Sequence, residues 1–298
     1  MTNTSRPMWY RKLQVAKHRA FLVFKSARLA ARRLRVKSRD LALIAAGAVR
    51  RYTFDPERFP GSWVANDATE MPFKNQQVPS VLTMFWVGGG QMSENRVRGV
   101  QSVRTLNPGL KVRLITDSSV ESILVPGFPL HPAYQHLALT HKSDYLRCYV
   151  MHHHGGGYCD VKAIRDSWEP AFRRIERNPN VWALGYRELS YATATELPGA
   201  IQEDVRRNFF RVIGNGAFIM RAHTPLTAEW FAELNRRLDH WAPELARHPG
   251  GVRGGEEGGD YPIPKHALLG DILGPIGLKY HQHLLQDETI RPGFHDYI

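Results

Sequence analysis

The sequence predicts an α/β fold that follows a basic helical arm. The first observation is an apolar run from Val78 to Gly90, followed by a helical stretch (93–106) that we expect Ser93 to cap, and a second apolar run (110–116). Strand, helix and strand at this spacing are typical of a parallel sheet, which binds ligands at the carboxyl ends of its strands. The second observation is a helical stretch within residues 141–162 that three glycines end before a short strand.

The N-terminal residues 8–36 predict an amphipathic helix. Its apolar residues recur every three or four positions, namely Trp9, Leu13, Ala16, Ala20, Phe24, Ala27, Ala31 and Leu34. Basic residues fill the remaining positions, a composition that suits an anionic membrane surface. Two alternatives stay open. The helix could dock on protein, either its own domain or a second subunit, or it could bind nucleic acid.

Positive charge is concentrated in this arm. Residues 1–51 carry 14 Lys and Arg against the single acid Asp40, whereas the remaining 247 residues have a net charge of −1. A domain that binds nucleic acid through its folded surface usually carries the positive charge there. The charge of residues 52–298 therefore does not indicate nucleic-acid binding. The arm has no signal-peptide core, and its longest apolar run (41–49) is too short to cross a bilayer. We therefore expect a cytoplasmic protein with peripheral membrane association.

The composition divides the chain into three parts. We expect a basic arm (1–55), a polar and proline-containing linker or irregular cover (56–77), and a catalytic body (78–298). Two cysteines, Cys148 and Cys159, give no disulfide framework and are expected as apolar packing residues in a reducing compartment.

The most informative stretch is the helix–glycine–strand segment of residues 141–162. Asp144 and Arg147 are three apart on the predicted helix and therefore share one face. Alternation along the predicted strand places Tyr158, Asp160 and Lys162 on one face, with the two residues between them directed into the core. An acid–base pair beside a carboxylate at a strand end indicates a functional cluster, because folding alone does not require it.

These residues carry a resemblance to a known family. The segments SDYLR (143–147) and GGYCDVK (156–162) resemble the donor-binding core of glycosyltransferases that contain a DXD sugar-binding region, most closely the capsular polysaccharide synthesis group. The resemblance covers residues 78–220 and, more loosely, 261–298. One departure is that Lys162 stands where the pattern has its second Asp.

The resemblance implies a GT-A-type, Rossmann-like nucleotide-sugar-binding domain. It implies a hexosyltransferase that moves a sugar from a nucleoside diphosphate sugar to a polysaccharide or glycan acceptor, with retention of configuration. Trp86, followed by Gly88 and Gly89, matches the tryptophan that stacks on the nucleotide base. Packing in the core is the alternative role for this strand-end ring.

The resemblance also assigns roles around the cluster. Asp144 and Arg147, with Ser143 beside them, would hold sugar hydroxyls, and Tyr158 would contact ribose or sugar.

Asp160 and Lys162 are the candidate catalytic residues. In the family the second Asp binds Mn²⁺ or Mg²⁺, which Lys162 cannot do. We expect its ammonium to contact the diphosphate instead. The competing expectation is a divalent metal held by Asp160 with His281 or His283.

The rest of the chain predicts further elements of the same fold. Helices are expected within 163–179 and from Thr224, and strands at 181–186 and 211–220. Glycines flank Asn215 in the last of these strands, which marks it as a further candidate for substrate binding. The glycine-rich residues 250–260 fit either a flap over the acceptor or a plain surface loop.

Three other functions remain open. A non-catalytic, membrane-associated member of the same fold is suggested by Lys162. A metal hydrolase would use the histidines, but the adjacent His152, His153 and His154 point about 100° apart on a helix and cannot chelate one ion together. A nucleic-acid-binding protein would use the basic arm.

Overall fold

The computed structural model describes residues 8–66, 77–251 and 259–294, with the backbone alone for residues 8–16, 19 and 20. The chain divides into two units, Met1–Arg51 and Tyr52–Ile298. The helices of the described residues are α1 (Met8–Val49), α2 (Glu94–Leu106), α3 (Leu139–His153), α4 (Glu169–Glu176), α5 (Ala200–Arg207), α6 (Pro225–Arg247) and α7 (Gly270–Lys279). The strands are β1 (Val81–Trp86), β2 (Lys111–Thr116), β3 (Gly156–Cys159), β4 (Ala183–Arg187), β5 (Ile213–Met220) and β6 (Leu284–Gln286).

The first unit is built on helix α1. The predicted helix over 8–36 is confirmed and continues to Val49. Apolar side chains such as those of Phe21, Phe24 and Leu34 are exposed along it, whereas the side chains of Trp9, Leu13, Ala16 and Ala20 lie outside the described residues. Within the described residues, none of the helices combines the length and the apolar character that crossing a bilayer requires.

The second unit contains one mixed sheet, which confirms the predicted α/β class. In the part of the chain that the structure describes, six strands have the order β2-β1-β3-β5-β4-β6. Strands β1, β2 and β3 are parallel, and β5 runs antiparallel to both of its neighbours. The carboxyl ends of β1, β2 and β3 therefore meet at one edge, which we call the carboxyl edge.

Local signals place the elements around this edge. Helix α2 begins after Ser93, whose Oγ accepts a hydrogen bond from the backbone of Arg96 at 3.4 Å, as the sequence predicts. Helix α3 ends before Gly155 and Gly156, which have φ values of +67° and +90°. A Cβ on either glycine would lie within 2.9 Å of backbone atoms, so both positions require glycine. Strand β3 consequently starts two residues earlier than predicted.

The core lies on both faces of the sheet. Residues of α3, α6 and α7 pack on one face, and residues of α2 and α4 pack on the other. Cys148 belongs to the first cluster and Cys159 to the second, and both are free and buried. Their predicted role as apolar packing residues is confirmed.

Residues 52–66 belong to the second unit rather than to the arm or a linker. Phe59 and Val64 are buried in its core. The hydroxyl of Tyr52 donates to Asp204 of α5 at 2.6 Å. This segment therefore forms an irregular cover, and the unit boundary falls at residue 51 rather than 55. Residues 67–76 of the predicted linker and 252–258 of the predicted flap lie outside the described residues.

Candidate functional site

A cleft of about 420 Å³ opens at the carboxyl edge of the sheet. Most of the side chains that the sequence singled out line it, namely Trp86, Ser143, Arg147, Tyr158, Asp160 and Lys162. Strand β1 supplies the tryptophan, α3 supplies the serine and arginine, and β3 with the residues after it supplies the remainder. The sequence motif is therefore one site in space.

Asp160 lies at the centre of the polar cluster. Its backbone N–H donates to the carbonyl of Gly216 on β5 at 2.8 Å, which extends the β3–β5 pairing by one residue. The Tyr158 hydroxyl donates to Asp160 Oδ1 at 2.6 Å, and Lys162 Nζ donates to Oδ2 at 2.9 Å. Both carboxylate oxygens thus have a donor from the chain itself. The three side chains lie together as predicted, but strand β3 ends at Cys159, so Lys162 reaches Asp160 from the bend after the strand and not by strand alternation.

Arg147 connects this cluster to helix α3. One guanidinium nitrogen lies 3.3 Å from Asp144 Oδ1 and 3.8 Å from Asp160 Oδ1. The same nitrogen donates to Ser143 Oγ at 3.3 Å, and the guanidinium carbon lies 4.4 Å from the centre of the Tyr158 ring. Arg147 therefore bridges two carboxylates while its own side chain is almost fully buried.

Two predicted substrate-binding residues sit behind the cleft rather than in it. The side chain of Asp144 is 4% exposed and contacts Arg147. Asn215 offers its backbone carbonyl to Arg147 at 3.0 Å. In this structure both residues orient Arg147, so their contact with a substrate remains a prediction.

The environment shifts the pKa values of Asp144 and Asp160 in opposite directions. Burial raises the pKa of Asp144, and the charges of Arg147 and His141 offset part of that rise. Burial also acts to raise the pKa of Asp160, but Arg147, Lys162 and the Tyr158 hydroxyl outweigh it and leave the pKa below its ordinary value. Asp160 is therefore the carboxylate that the chain stabilises as an anion.

Trp86 is half-buried at the end of β1 and lines the cleft. Its Nε1 donates to the carbonyl of Gly90 at 2.6 Å. The backbone N–H groups of Gly88 and Gly89, which have φ values of +101° and +67°, both donate to Asp117 Oδ2. The ring also packs against the core cluster of α2 and α4, so the core role and the cleft-lining role apply together.

Four residues of this region were not among the sequence candidates. Arg96 lines the cleft and donates to the carbonyl of Val161 at 2.7 Å. Asp117 shapes the glycine loop, and its position at the end of a strand was a usable signal. Tyr186 and Phe294 pack beside Asp160 and Lys162, but they come from distant segments and carry no local pattern.

The glycines that flank Asn215 are explained by side chains of the chain itself. A Cβ at Gly214 would collide with the ring of Tyr186, and a Cβ at Gly216 would lie 3.2 Å from both Asp160 Oδ2 and the Tyr186 hydroxyl. Tyr186 and Asp160 therefore account for both glycines, and contact of a substrate with Asn215 stays a prediction.

The two C-terminal histidines are not brought to Asp160. Leu284 of β6, which follows His283, is aligned across the sheet with Gly156 at the amino end of β3. The alignment runs through Ala183 of β4 and Met220 of β5. Asp160 follows the opposite end of that strand. His281 contacts the carbonyl of Leu278, and His283 stacks on Trp182 with ring centres 3.7 Å apart. The expectation that either histidine joins Asp160 at a metal does not agree with this register.

The residues present do not fit a divalent metal at Asp160. An ammonium lies 2.9 Å from one carboxylate oxygen, where it would repel a cation. No group of three or more His, Cys, Asp or Glu side chains among the described residues is arranged to hold a metal ion. The positive charge at this site therefore comes from side chains of the chain itself.

Comparison with known proteins leaves the family open. No protein-family model matches the chain, and no curated protein matches it. Among solved structures, the chain is similar to the PaToxG glycosyltransferase, with a TM-score of 0.38 and 11% identity over 69% of this chain and 67% of that one. It is also similar to mouse xyloside xylosyltransferase 1 in its apo form, with a TM-score of 0.36 and 13% identity over 71% of this chain and 86% of that one. At these TM-scores neither likeness indicates a function for this chain.

Proposed function

We propose that the chain is a GT-A-type glycosyltransferase that uses a nucleoside diphosphate sugar as donor. The observation that carries the proposal is the cleft at the carboxyl edge of the sheet. It combines an aromatic ring, the cations Arg147 and Lys162 and the anionic Asp160 within one volume of about 420 Å³. Such a set offers a stacking surface for a base, positive charge for phosphates and a hydrogen-bond acceptor for hydroxyls.

Each part of the donor has a matching group. The Trp86 ring provides a face for base stacking, which contributes about 1–3 kcal/mol per base. Arg96, Arg147 and Lys162 direct positive charge into the cleft, where negative charge builds on the leaving diphosphate. Ser143, Tyr158 and Asp160 supply polar groups for ribose or sugar hydroxyls, with Asp144 and Asn215 behind them.

Lys162 takes the role that a divalent metal has in the resembling family. Its ammonium is a compact charge on the cleft wall, fixed by Asp160 at 2.9 Å. As the bond between the anomeric carbon and the diphosphate oxygen breaks, this charge and Arg147 stabilise the departing anion. The motif resemblance further suggests retention of configuration and a polysaccharide or glycan acceptor in capsular or cell-surface polysaccharide synthesis.

A donor-hydrolysis assay tests the proposal. The full chain is incubated with a panel of nucleoside diphosphate sugars, and the released nucleoside diphosphate is measured with and without a glycan acceptor. We expect turnover of at least one donor, and Arg147→Met to reduce it at least about tenfold. Absence of turnover across the panel contradicts the proposal.

A non-catalytic protein of the same fold is the second candidate. The exchange of an acid for Lys162 favours it, because the exchange removes a residue that the resembling pattern uses in catalysis. Such a protein would bind a nucleotide sugar in calorimetry without releasing its nucleoside diphosphate.

We also propose that helix α1 binds an anionic membrane surface, which would make the protein peripheral to the cytoplasmic face. Residues 1–51 carry a net charge of +13, and the exposed Phe21 and Phe24 can enter the headgroup layer. Each basic residue near such a surface contributes about 1 kcal/mol.

Vesicle sedimentation tests this membrane proposal. Replacing Arg28, Arg32 and Arg35 with glutamine should release the full chain from vesicles that contain anionic lipid. The matched control replaces three exposed basic residues of the second unit, Arg104, Lys111 and Arg177. Equal loss in both variants, or none in the first, contradicts membrane binding through α1.

A further inference from the structure

The C-terminal segment crosses the loop that carries Lys162. Ile290 is fully buried, and Pro292 is buried as well. The backbone N–H of Gly293 donates to the carbonyl of Ala163 at 2.8 Å. A Cβ at Gly293 would lie 3.2 Å from that same oxygen, so the two backbones are in close contact. The segment therefore fixes the position of the next residue, Phe294.

Phe294 places its ring against the ammonium of Lys162. Lys162 Nζ lies 4.7 Å from the centre of the ring, which is within the range of a cation–π interaction. The ring is half-buried, and its edge-to-face partner is Tyr186 at a distance of 5.9 Å between ring centres. Tyr186 in turn accepts a hydrogen bond from the backbone of Gly216, the residue whose carbonyl holds Asp160.

Asp160 and Phe294 are neighbours of the ammonium that differ in chemistry. Asp160 Oδ2 attracts it at 2.9 Å, and the negative face of the Phe294 ring attracts it at 4.7 Å. A lysine side chain has four rotatable bonds and takes many orientations when nothing restrains it. Two attractive contacts at separate positions restrain the ammonium on the wall of the cleft, and a restrained charge binds an anion with less loss of freedom.

We propose that Phe294 is a positioning residue that holds the Lys162 ammonium in the orientation that binds a diphosphate group. The proposal rests on the proposed function, because it takes the diphosphate as the anion of this cleft. Phe294 itself acts through Lys162 and needs no contact with the donor.

The test measures binding of inorganic pyrophosphate to the full chain by titration calorimetry. Phe294→Leu, which keeps an apolar side chain but removes the aromatic face, should weaken binding about three- to tenfold. Phe294→Trp, which keeps an aromatic face, should remain within about twofold of the wild type. Phe128→Leu makes the same exchange at an exposed phenylalanine that does not line the cleft, and as the matched control it should leave binding unchanged.

A double-variant cycle separates positioning from packing. If Phe294 acts through the ammonium, Phe294→Leu should have no further effect once Lys162→Ala is present. Binding by Phe294→Leu equal to the wild type, or the same loss with and without Lys162, overturns the proposal. Phe294→Met replaces the leucine variant if thermal unfolding shows that the latter does not fold.

The outcome also distinguishes this proposal from the proposed function. An intact cycle together with no turnover of any nucleotide sugar contradicts the transfer reaction but supports the role of Phe294. Donor turnover that is unchanged in Phe294→Leu, together with unchanged pyrophosphate binding, supports the transfer reaction and overturns the role of Phe294. A wild-type chain that binds no pyrophosphate contradicts the positioning role and the diphosphate site together.

Discussion

Lys162 donates from Nζ to Asp160 Oδ2 across 2.9 Å, two residues apart on the wall of the cleft. Tyr158 holds the other oxygen of the same carboxylate at 2.6 Å. The motif that these residues resemble has an acid in place of Lys162, and two acids attract a divalent cation. Lys162 instead places an ammonium beside Asp160, so the chain itself supplies a positive charge on the wall of the cleft.

We predict that donor turnover does not need an added divalent metal. A chelator should leave wild-type turnover unchanged, because the ammonium already supplies the positive charge beside Asp160. Lys162→Ala should lower turnover by roughly a hundredfold, the usual cost of removing one group that stabilises the leaving charge. The measurement is release of nucleoside diphosphate with and without chelator.

Lys162→Asp is the informative comparison for this prediction. It restores the acid of the resembling pattern and should be inactive in chelator and partly active with Mn²⁺. Loss of wild-type turnover in chelator, combined with higher turnover in Lys162→Asp, contradicts a metal-free mechanism.

The sequence predicted the elements that depend on local patterns. Strand β1, the Ser93 cap of α2 and the glycine end of α3 follow from short-range rules, and the structure confirms each of them. The two-residue period of a strand predicts that Tyr158 and Asp160 share a face, whereas Lys162 joins them from the bend after the strand. These features need no knowledge of distant contacts.

Features that depend on distant contacts were beyond the sequence. Phe294 reaches Lys162 only because strand β6 and the buried Ile290 carry the C-terminus back to the site. The sequence offers His281 and His283 as metal ligands, whereas the strand register places them at the opposite edge of the sheet. The roles of Asp144 and Asn215 behind Arg147 likewise require the packing of α3 against β5.

We predict that Arg147→Met destabilises the chain more than the loss of an exposed ion pair does. The substitution leaves Asp144 buried beside Asp160 without its cation, which typically costs about 3–5 kcal/mol. Adding Asp144→Asn should recover part of this loss, because it removes the uncompensated charge. Urea unfolding of the single and double variants measures the difference.

The control for this ion pair is Arg98→Met on α2. Arg98 pairs with Glu94 four residues away, and its side chain is 63% exposed. Exposed pairs of this kind contribute only about 0.3–0.5 kcal/mol. Equal destabilisation by both substitutions would show that burial of Arg147 adds nothing to the strength of its pair.

We predict that Gly99→Ala destabilises the chain although alanine is the better helix former. Gly99 lies in α2, and a Cβ there would be 2.9 Å from the backbone carbonyl carbon of Lys162. Helix propensity favours alanine by about 1 kcal/mol. The backbone of Lys162, however, cannot move away from the added Cβ as easily as a flexible side chain could. The melting temperature should therefore fall, and pyrophosphate binding should weaken as the Lys162 loop moves.

Val97→Ala, at an exposed position of the same helix, is the control for this substitution. It improves helix propensity without changing a contact with the Lys162 loop, so the melting temperature should stay the same or rise. A rise in Gly99→Ala equal to that in Val97→Ala would contradict a tight contact between α2 and the loop.

We predict that acid destabilises the chain through a histidine cluster at the end of α3. The rings of His152, His153 and His223 lie together, with centres 4.8 to 6.1 Å apart, and Phe231 packs against the first two. Burial, followed by the charges of neighbouring histidines, lowers the pKa of His152 to about 3 and that of His153 to about 4. In the unfolded chain these histidines titrate near 6.5. Between these values the unfolded chain binds more protons than the folded chain, so stability is complete above pH 6.5 and is lost as the pH falls.

The measurement is the melting temperature as a function of pH, from about 7.5 to about 5. This range extends at least about one unit on each side of 6.5, the pKa of histidine in the unfolded chain. The wild type should lose several degrees over this range. The melting temperature of His152→Phe should fall less, because the new phenylalanine ring cannot bind a proton. It can still stack on Phe231, whose ring lies at 10° to that of His152. His240→Phe, at an exposed position of α6, is the matched control and should follow the wild-type curve. Parallel curves for the wild type and His152→Phe would contradict the prediction, since the acid sensitivity would then arise outside this cluster.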